Sequence, residues 1–453
     1  MTCVAAFWWW NHVADRRIAD LIAAAHARGE PILPEDFDAP PVPDSQNAAL
    51  TLQQASAAMV ITPQFSAFED SYSGGKLSGK DATTVAAIKA ANQKALSWFL
   101  QANSRRQVDW NIKVRPPVFT FILSHLNSQR QLAMLAKCSA LYEHSKSNDG
   151  QAMEYSQALL GQARTIDQSA PFLISHLVAI GIEMTATSAI DQIAPELAVD
   201  AAGPARPSSG CASRDQVAAL IDDLLNDGPR SAAAERSWYG ERMAQLDGVR
   251  HPGLGGFGVP DFPLLYPMFK LDGVRMAART AQVATAMSRP NLPEARDHLP
   301  PQLANSVPAL EEVSQVMSRV LEPSFRRHLE QHYRAATERH AAAILLAIRM
   351  YRLDHGGAYP PSLEALVPAY LPQVPIDAMA AGGRPMRYCP ERKPPVIYSV
   401  GSNGTDDGGT SLPGPGIDRW QMADAVWELE PSPSERRALT PPTSPSTQTE
   451  DHH

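Results

Sequence analysis

Apolar residues along this chain recur mostly at helical spacing. From Asn11 to Arg28, Ile18, Leu21, Ile22 and Ala25 share one face, which predicts an amphipathic helix. Gly29 stops it, and Pro31 and Pro34 keep it stopped. After a proline-rich crossing at Ala39 to Ala49, an alanine-rich helix is expected over Asn47 to Met59. Thr84 to Asn103 places Val85, Ile88, Ala91, Ala95, Trp98 and Phe99 near one face. Phe119 to His144, Gln151 to Ile166 and Ala170 to Leu197 predict three further helices, with a turn at Asn148-Asp149-Gly150. Helices joined by short turns, each apolar on one side, pack as antiparallel hairpins.

Ala201 to Ala212 reads as a linker. Ser213 with Gln216 forms a capping-box pattern opening a helix to Asn226. His251 to Pro263 is a glycine- and proline-rich loop, and Leu264 to Ser288 is helical. A helix over about Pro308 to Leu321 and a long one from Pro323 to about Asp354 follow. From Gly356 the period changes to short apolar runs between prolines and glycines, which suggests small strands. Met386 to Cys389 and Val396 to Val400 would pair antiparallel. The expected fold class is mainly α: antiparallel helical hairpins in a solenoid-like bundle, then a small α+β domain with a short antiparallel sheet. Its segments are an N-terminal helix (1–28), a helical hairpin domain (29–200), a linker (201–212), a second helical segment (213–321), the α+β domain with its spine helix (322–429) and a disordered tail (430–453). The run ALYEHSKSNDGQAMEYSQALLGQAR is loosely similar to a tetratricopeptide hairpin, but no period of about 34 residues recurs.

Composition narrows the function classes. With 453 residues, 44% hydrophobic and 19% charged, the chain has enough apolar material for real cores. A net charge of −8 argues against nucleic acid as the main partner, because phosphate binding needs a basic surface. Cys3, Cys138, Cys211 and Cys389 stand far apart, so zinc ribbons and redox CxxC pairs are out. Free thiols are expected, with a Cys211–Cys389 bridge as the alternative. At the N-terminus, Phe7, Trp8, Trp9 and Trp10 precede Arg16 and Arg17. Three readings stay open: the end of a membrane helix that begins upstream, an interfacial anchor, or an aromatic staple onto the first helix. Phe172 to Ile190 is long enough to span a bilayer but carries His176 and Glu183, and reads better as a buried helix.

Motifs for chemistry are weak. Gly74 to Lys80 fits most of a phosphate-binding loop, but Asp81 stands where a hydroxyl should be. Gly253 to Gly258 matches G-x-G-x-x-G without the flanking strand and helix. His328 and His332 lie at i, i+4 and can share a metal, yet a solvated helix face is the expected account. No G-x-S-x-G elbow exists. A non-catalytic role is therefore expected.

The C-terminal region carries a resemblance. A helix ends at Tyr351 and Asp354, then come Gly356, Tyr359-Pro360, Leu363, Leu366, Pro375, Asp377, Gly383, Pro385, Tyr388, Ser399, Gly401 and the loop ending in Gly408-Gly409. In order and chemistry this resembles the C-terminal domain of the major pseudopilin of type II secretion, its G subunit. The whole chain looks like uncharacterised bacterial envelope proteins of helical build that carry such a domain. The resemblance implies a calcium-binding loop, with Asp406, Asp407, Asp418 and Asp424 as carboxylate ligands and carbonyls near Val400 and Asn403. Asn403 stands where that family has an aspartate. No apolar filament stem precedes the domain, since FRRHLEQHYRAATE (Phe325 to Glu338) is heavily charged. The expected function is a scaffold or protein-interaction protein of the bacterial cell envelope, periplasmic or membrane-associated through the aromatic segment. The alternatives are an envelope enzyme or ligand binder with a pocket between helices, and an accessory component of a secretion assembly.

Overall fold

The computed structural model describes residues 2–71, 77, 79–118, 123–200, 209–251, 263–302, 316–410 and 418–430, without the side chains of 2–3, 69–71, 79 and 316–324. Gly253 to Gly258, most of Gly74 to Lys80, the start of the Ala201 linker, the bulk of the Pro308 helix and the tail after Glu430 lie outside those residues.

The first helix, α1 (Thr2–Ala27), runs through the aromatic segment instead of starting at Asn11. Its inner face buries Ala14, Ile18 and Ala25 against α11 (Tyr266–Ala286), and Trp10 packs at the edge of that cluster. Trp8 and Trp9 point outward, 68% and 69% exposed. Asn47 caps α2 (Ala48–Ala58) by accepting from the Ala49 amide, and its amide donates to the Asp109 carbonyl. Short helix α3 (Pro63–Ser71) follows. The helix expected over Thr84 to Asn103 is broken in two, α4 (Gly79–Ala91) and α5 (Gln93–Ala102). The cause is Asn92. Its buried amide group closes on Val60 from both sides, accepting from the amide and donating to the carbonyl, and Asn92 leaves helical geometry to do so.

Next come α6 (His125–Ser145), α7 (Asp149–Asp167) and α8 (Leu173–Ile193), each packed on its neighbour as hairpins should be. Among the described residues, α8 is the helix long and apolar enough to cross a membrane. Here it is an interior helix, wrapped by α6, α7, α10 (Gly228–Arg250) and the spine helix α13 (Val316–Asp354). Ser213 caps α9 (Arg214–Leu225) by accepting from the Gln216 amide. The Gln216 side chain does not reach back; it donates to the Gly150 carbonyl and so ties α9 to the start of α7. The backbone of α10 lies directly on Pro171: a Cβ at Gly240 would sit 1.3 Å from the Pro171 carbonyl oxygen. Only glycine fits there, and that contact sets the depth of α10 against the turn between α7 and α8. A short helix, α12 (Leu292–Asp297), is capped by Asn291 and packs on α13.

The chain is mainly helical and ends in a small antiparallel sheet. Strands β1 (Arg387–Cys389), β2 (Val396–Ser399) and β3 (Ala425–Glu428) run in the order β1-β2-β3, with Tyr388 opposite Ile397 and Ile397 opposite Trp427. The β1–β2 hairpin is the one expected; β3 adds a third strand beside it. Ile397 and Trp427 share one face and join the main core, while Val396, Tyr398 and Val426 cluster on the other. Apolar residues of α13 from Ala341 to Ile348 belong to the same core, which runs without interruption from Ala49 to Leu429. Cys211 and Cys389 are free thiols, so the alternative disulfide is absent.

Candidate functional site

The middle of α13 overturns one expectation. His328 and His332 do not lie on a solvated face; they are 3% and 5% exposed and turned toward α8. Asp167, the last residue of α7, bonds His176 Nδ1 at 2.7 Å. His176 Nε2 stands 3.3 Å from His332 Nδ1. The His328 ring meets His176 edge-on at 5.4 Å between centroids and abuts Trp238 at 5.2 Å, with neither ring nitrogen partnered among the described residues. Burial first, then His176 nearby, pushes His328 well below its ordinary value and His332 down to about 3. Both rings are therefore neutral at physiological pH.

Beside the histidines lies an ionic lattice. Glu183 of α8 pairs with Arg230 of α10 and, at 3.4 Å, with Arg339 of α13. Arg339 continues to Asp227 at 2.8 Å, and His340 bridges Asp227 at 2.9 Å and the Ile376 carbonyl at 2.8 Å. Burial works to raise the Glu183 carboxyl, but Arg230 and Arg339 hold it below its ordinary value. The lattice binds α8, α13 and the start of α10 into one geometry.

A second buried acid joins the spine to the sheet. Glu338 accepts from the indole N–H of Trp420 at 2.8 Å and of Trp427 at 3.2 Å, with Arg419 at 3.6 Å. Arg419 turns its other side to Asp191 of α8 at 3.0 Å. Burial pushes Glu338 up to about 7; Arg419 opposes this and Asp191 adds to it.

The residues expected to hold calcium are partly brought together. Asn403, Asp406, Asp407 and Asp424 share the turn after β2 and the approach to β3, but each carboxylate is already engaged. Asp406 takes Arg387 Nε at 2.7 Å and the Gly408 amide at 3.1 Å. Asp424 accepts from the amides of Gly409 at 2.7 Å and Asp407 at 3.3 Å, and Asn403 donates to Asp407 at 2.9 Å. Asp418 instead caps the 3-10 turn Arg419–Gln421 through the Trp420 amide. The Val400 amide donates to Asp377, fully buried, which also accepts from Ser399 Oγ and the Met379 amide. Among the described residues no group of three acid, histidine or cysteine side chains is placed to hold a metal ion. The donor set as it stands does not fit calcium.

A cavity of about 150 Å³ opens on the opposite flank, between the segment 34–41, the segment 108–114, the turn after α7 and α10. Phe37, Ile112, Val114 and Pro171 give it apolar walls; Ser169 and Arg236 stand among them. Sequence reasoning missed Arg236, Ser169, Asp167 and the lattice. The signal that existed was the pair His176 and Glu183 inside an otherwise apolar run, since charges placed there demand partners. Comparison with family models, with curated proteins and with solved structures finds no match for this chain.

Proposed function

We propose that this chain is a non-catalytic scaffold of the bacterial cell envelope, joining partners to a membrane surface through α1 and presenting a pseudopilin-like C-terminal domain. One observation carries the reading. The inner face of α1 is packed, yet its outer face shows Val4, Trp8 and Trp9, 61–69% exposed, with the exposed Arg16 and Arg17 two turns on. Tryptophan favours the interface between headgroups and acyl chains, and arginine meets anionic headgroups. The test is flotation of the full chain with vesicles of phosphatidylglycerol and phosphatidylcholine. Wild type is expected to float, and Trp8→Ser plus Trp9→Ser to remain at the bottom. Equal behaviour of the two removes the membrane part. Crosslinking with mass spectrometry in native cells tests the scaffold part: envelope proteins captured by the helical surface support it, and an absence of protein neighbours counts against it.

Calcium belongs to the same proposal through the family resemblance alone, against a loop whose acids already have partners. Calorimetric titration with calcium chloride, comparing wild type with Asp406→Ala plus Asp407→Ala, decides it. A heat signal lost in the double variant keeps calcium in the reading; no heat and an unmoved melting temperature take it out.

A further inference from the structure

Among the described residues, several arginines of the core have carboxylate partners, and the half-buried Arg236 at the cavity does not. Arg230 and Arg339 share Glu183, Arg419 has Asp191 and Glu338, and Arg242 has Glu30 at 2.6 Å. Arg236 lies one helical turn before Gly240, so the contact of Gly240 with Pro171 delivers it to the cavity. Among the described residues it makes no hydrogen bond or ion pair. Its guanidinium rests against the Phe37 ring at 5.8 Å. Asp167 attracts it from a distance, but that carboxylate is committed to His176. Burial lowers the Arg236 pKa, with Asp167 opposing that only in part: the charge is held without full compensation.

Two other polar side chains at the cavity, Ser169 and Trp110, offer an occupant nothing. Ser169 is 6% exposed, and its hydroxyl has no partner among the described residues. Its oxygen is buried out of reach of the cavity space, so an occupant does not bond it. The neighbouring donor Trp110 is already spent, its indole N–H donating to the Thr165 carbonyl at 2.8 Å.

Charge and size then restrict the occupant. The charged residues lining the cavity are Asp38, Asp109, Lys113 and Arg236. Asp38 is neutralised by Arg115 at 2.6 Å, which leaves two cations against one anion. One positive charge in surplus suits a monoanion, and the Asp109 carboxylate disfavours a dianion such as phosphate. Around 150 Å³ accommodates a group about the size of benzene, and within a lining more polar than apolar Phe37, Ile112 and Pro171 supply the apolar part. A guanidinium fork takes both oxygens of a carboxylate at once.

We propose that this cavity binds a small carboxylic acid as its anion, with the carboxylate on Arg236 and the rest of the acid against Phe37, Ile112 and Pro171. The site gives the protein a ligand-binding role independent of the membrane face on α1.

The experiment is calorimetric titration of the full chain with sodium benzoate, with benzamide as the neutral isostere and inorganic phosphate as the dianion. Benzoate is expected to saturate with a Kd below about 1 mM, and benzamide and phosphate to bind at least about tenfold more weakly. Arg236→Ala should lose about tenfold or more in benzoate affinity. Arg236→Lys keeps the charge without the fork and should fall between the two, which holds the test open should the alanine variant fold poorly. No saturation by about 10 mM benzoate overturns the proposal, as does benzamide binding as tightly as benzoate. Unchanged affinity in folded Arg236→Lys and Arg236→Ala, or phosphate displacing benzoate, overturns it equally.

Discussion

Acidic residues do two kinds of work in this chain, and the contrast lies between the lattice in the helical interior and the turn after β2. The buried Glu183, and with it the part-exposed Asp227, is tied to the buried Arg230, Arg339 and His340, between helices far apart in sequence. Asp406 and Asp407 are exposed and bond mainly within their own turn and to β1. A charge in the interior is costly to strand because water cannot replace its partner. At the surface water replaces nearly any partner, so the same residue type carries little energy. The lattice is thus a structural lock, and the turn is where ligand chemistry has room to vary.

The lock gives the largest expected effect. Glu183→Ala leaves Arg230 without its buried carboxylate and costs about 3–5 kcal/mol, read as the shift in urea unfolding. A loss below about 1 kcal/mol would mean that Asp223 and Asp227 fully replace Glu183, and the division between interior and turn would not hold. Next is Asp377, an acid near the turn but buried like the lattice. Asp377→Ala strands the Ser399 hydroxyl and the amides of Val400 and Met379, at a cost of about 3 kcal/mol. An effect as small as that of its exposed neighbours would show that burial is not what separates the two regions.

Glu338 sharpens the comparison through pH. Its carboxyl is raised from 4.5 to about 7, so the folded chain holds a proton that the unfolded chain has released between those values. Stability from this group is present at low pH and falls as pH rises from about 4.5 to about 7. Glu183 and Asp227 are held below their ordinary values and act with the opposite sign, losing stability as pH drops through the acid range. Unfolding free energy measured across the window should therefore fall more steeply in wild type than in Glu338→Gln. Parallel curves would assign the slope to Asp191, whose buried carboxyl is raised as well.

How much of this was legible follows the same division. Local patterning announced the hairpins, the spine ending at Asp354 and the β1–β2 pairing, because each depends on neighbours in sequence. Two features escaped it for reasons of range. Asn92 breaks a helix to serve Val60, and nothing near Asn92 in sequence says so. His328 and His332 sit in a charged stretch that looks solvated, and only the arrival of α8 with His176 makes that stretch interior. The cavity was illegible for a related reason. Phe37, Ile112, Ser169 and Arg236 come from four separated segments, and what marks the site is a missing partner for Arg236 rather than a motif. Of the residues expected to hold calcium, Asn403, Asp406, Asp407 and Asp424 were legible as a cluster, but Asp406's partner Arg387 lay outside the loop that suggested them.

The smallest expected effect tests the surface half of the comparison. Asp406 is more than 40% exposed at its side chain and meets Arg387 at 2.7 Å. Arg387 also lies 3.6 Å from the buried Asp377, so it keeps an acidic neighbour when Asp406 is removed. Two opposing contributions follow from Asp406→Ala: one solvated ion pair is lost, and Arg387 is freed to lean toward Asp377. The net cost should be about 0.5 kcal/mol or less, and it should shrink further in about 0.5 M salt, since screening acts on an exposed pair and spares a buried one. Double-mutant analysis with Asp377→Ala separates the contributions, because the rescue by Arg387 disappears once Asp377 is gone. A larger, salt-insensitive loss from Asp406→Ala alone would place this turn with the lock in the interior, and with that the distinction between the two regions would fail.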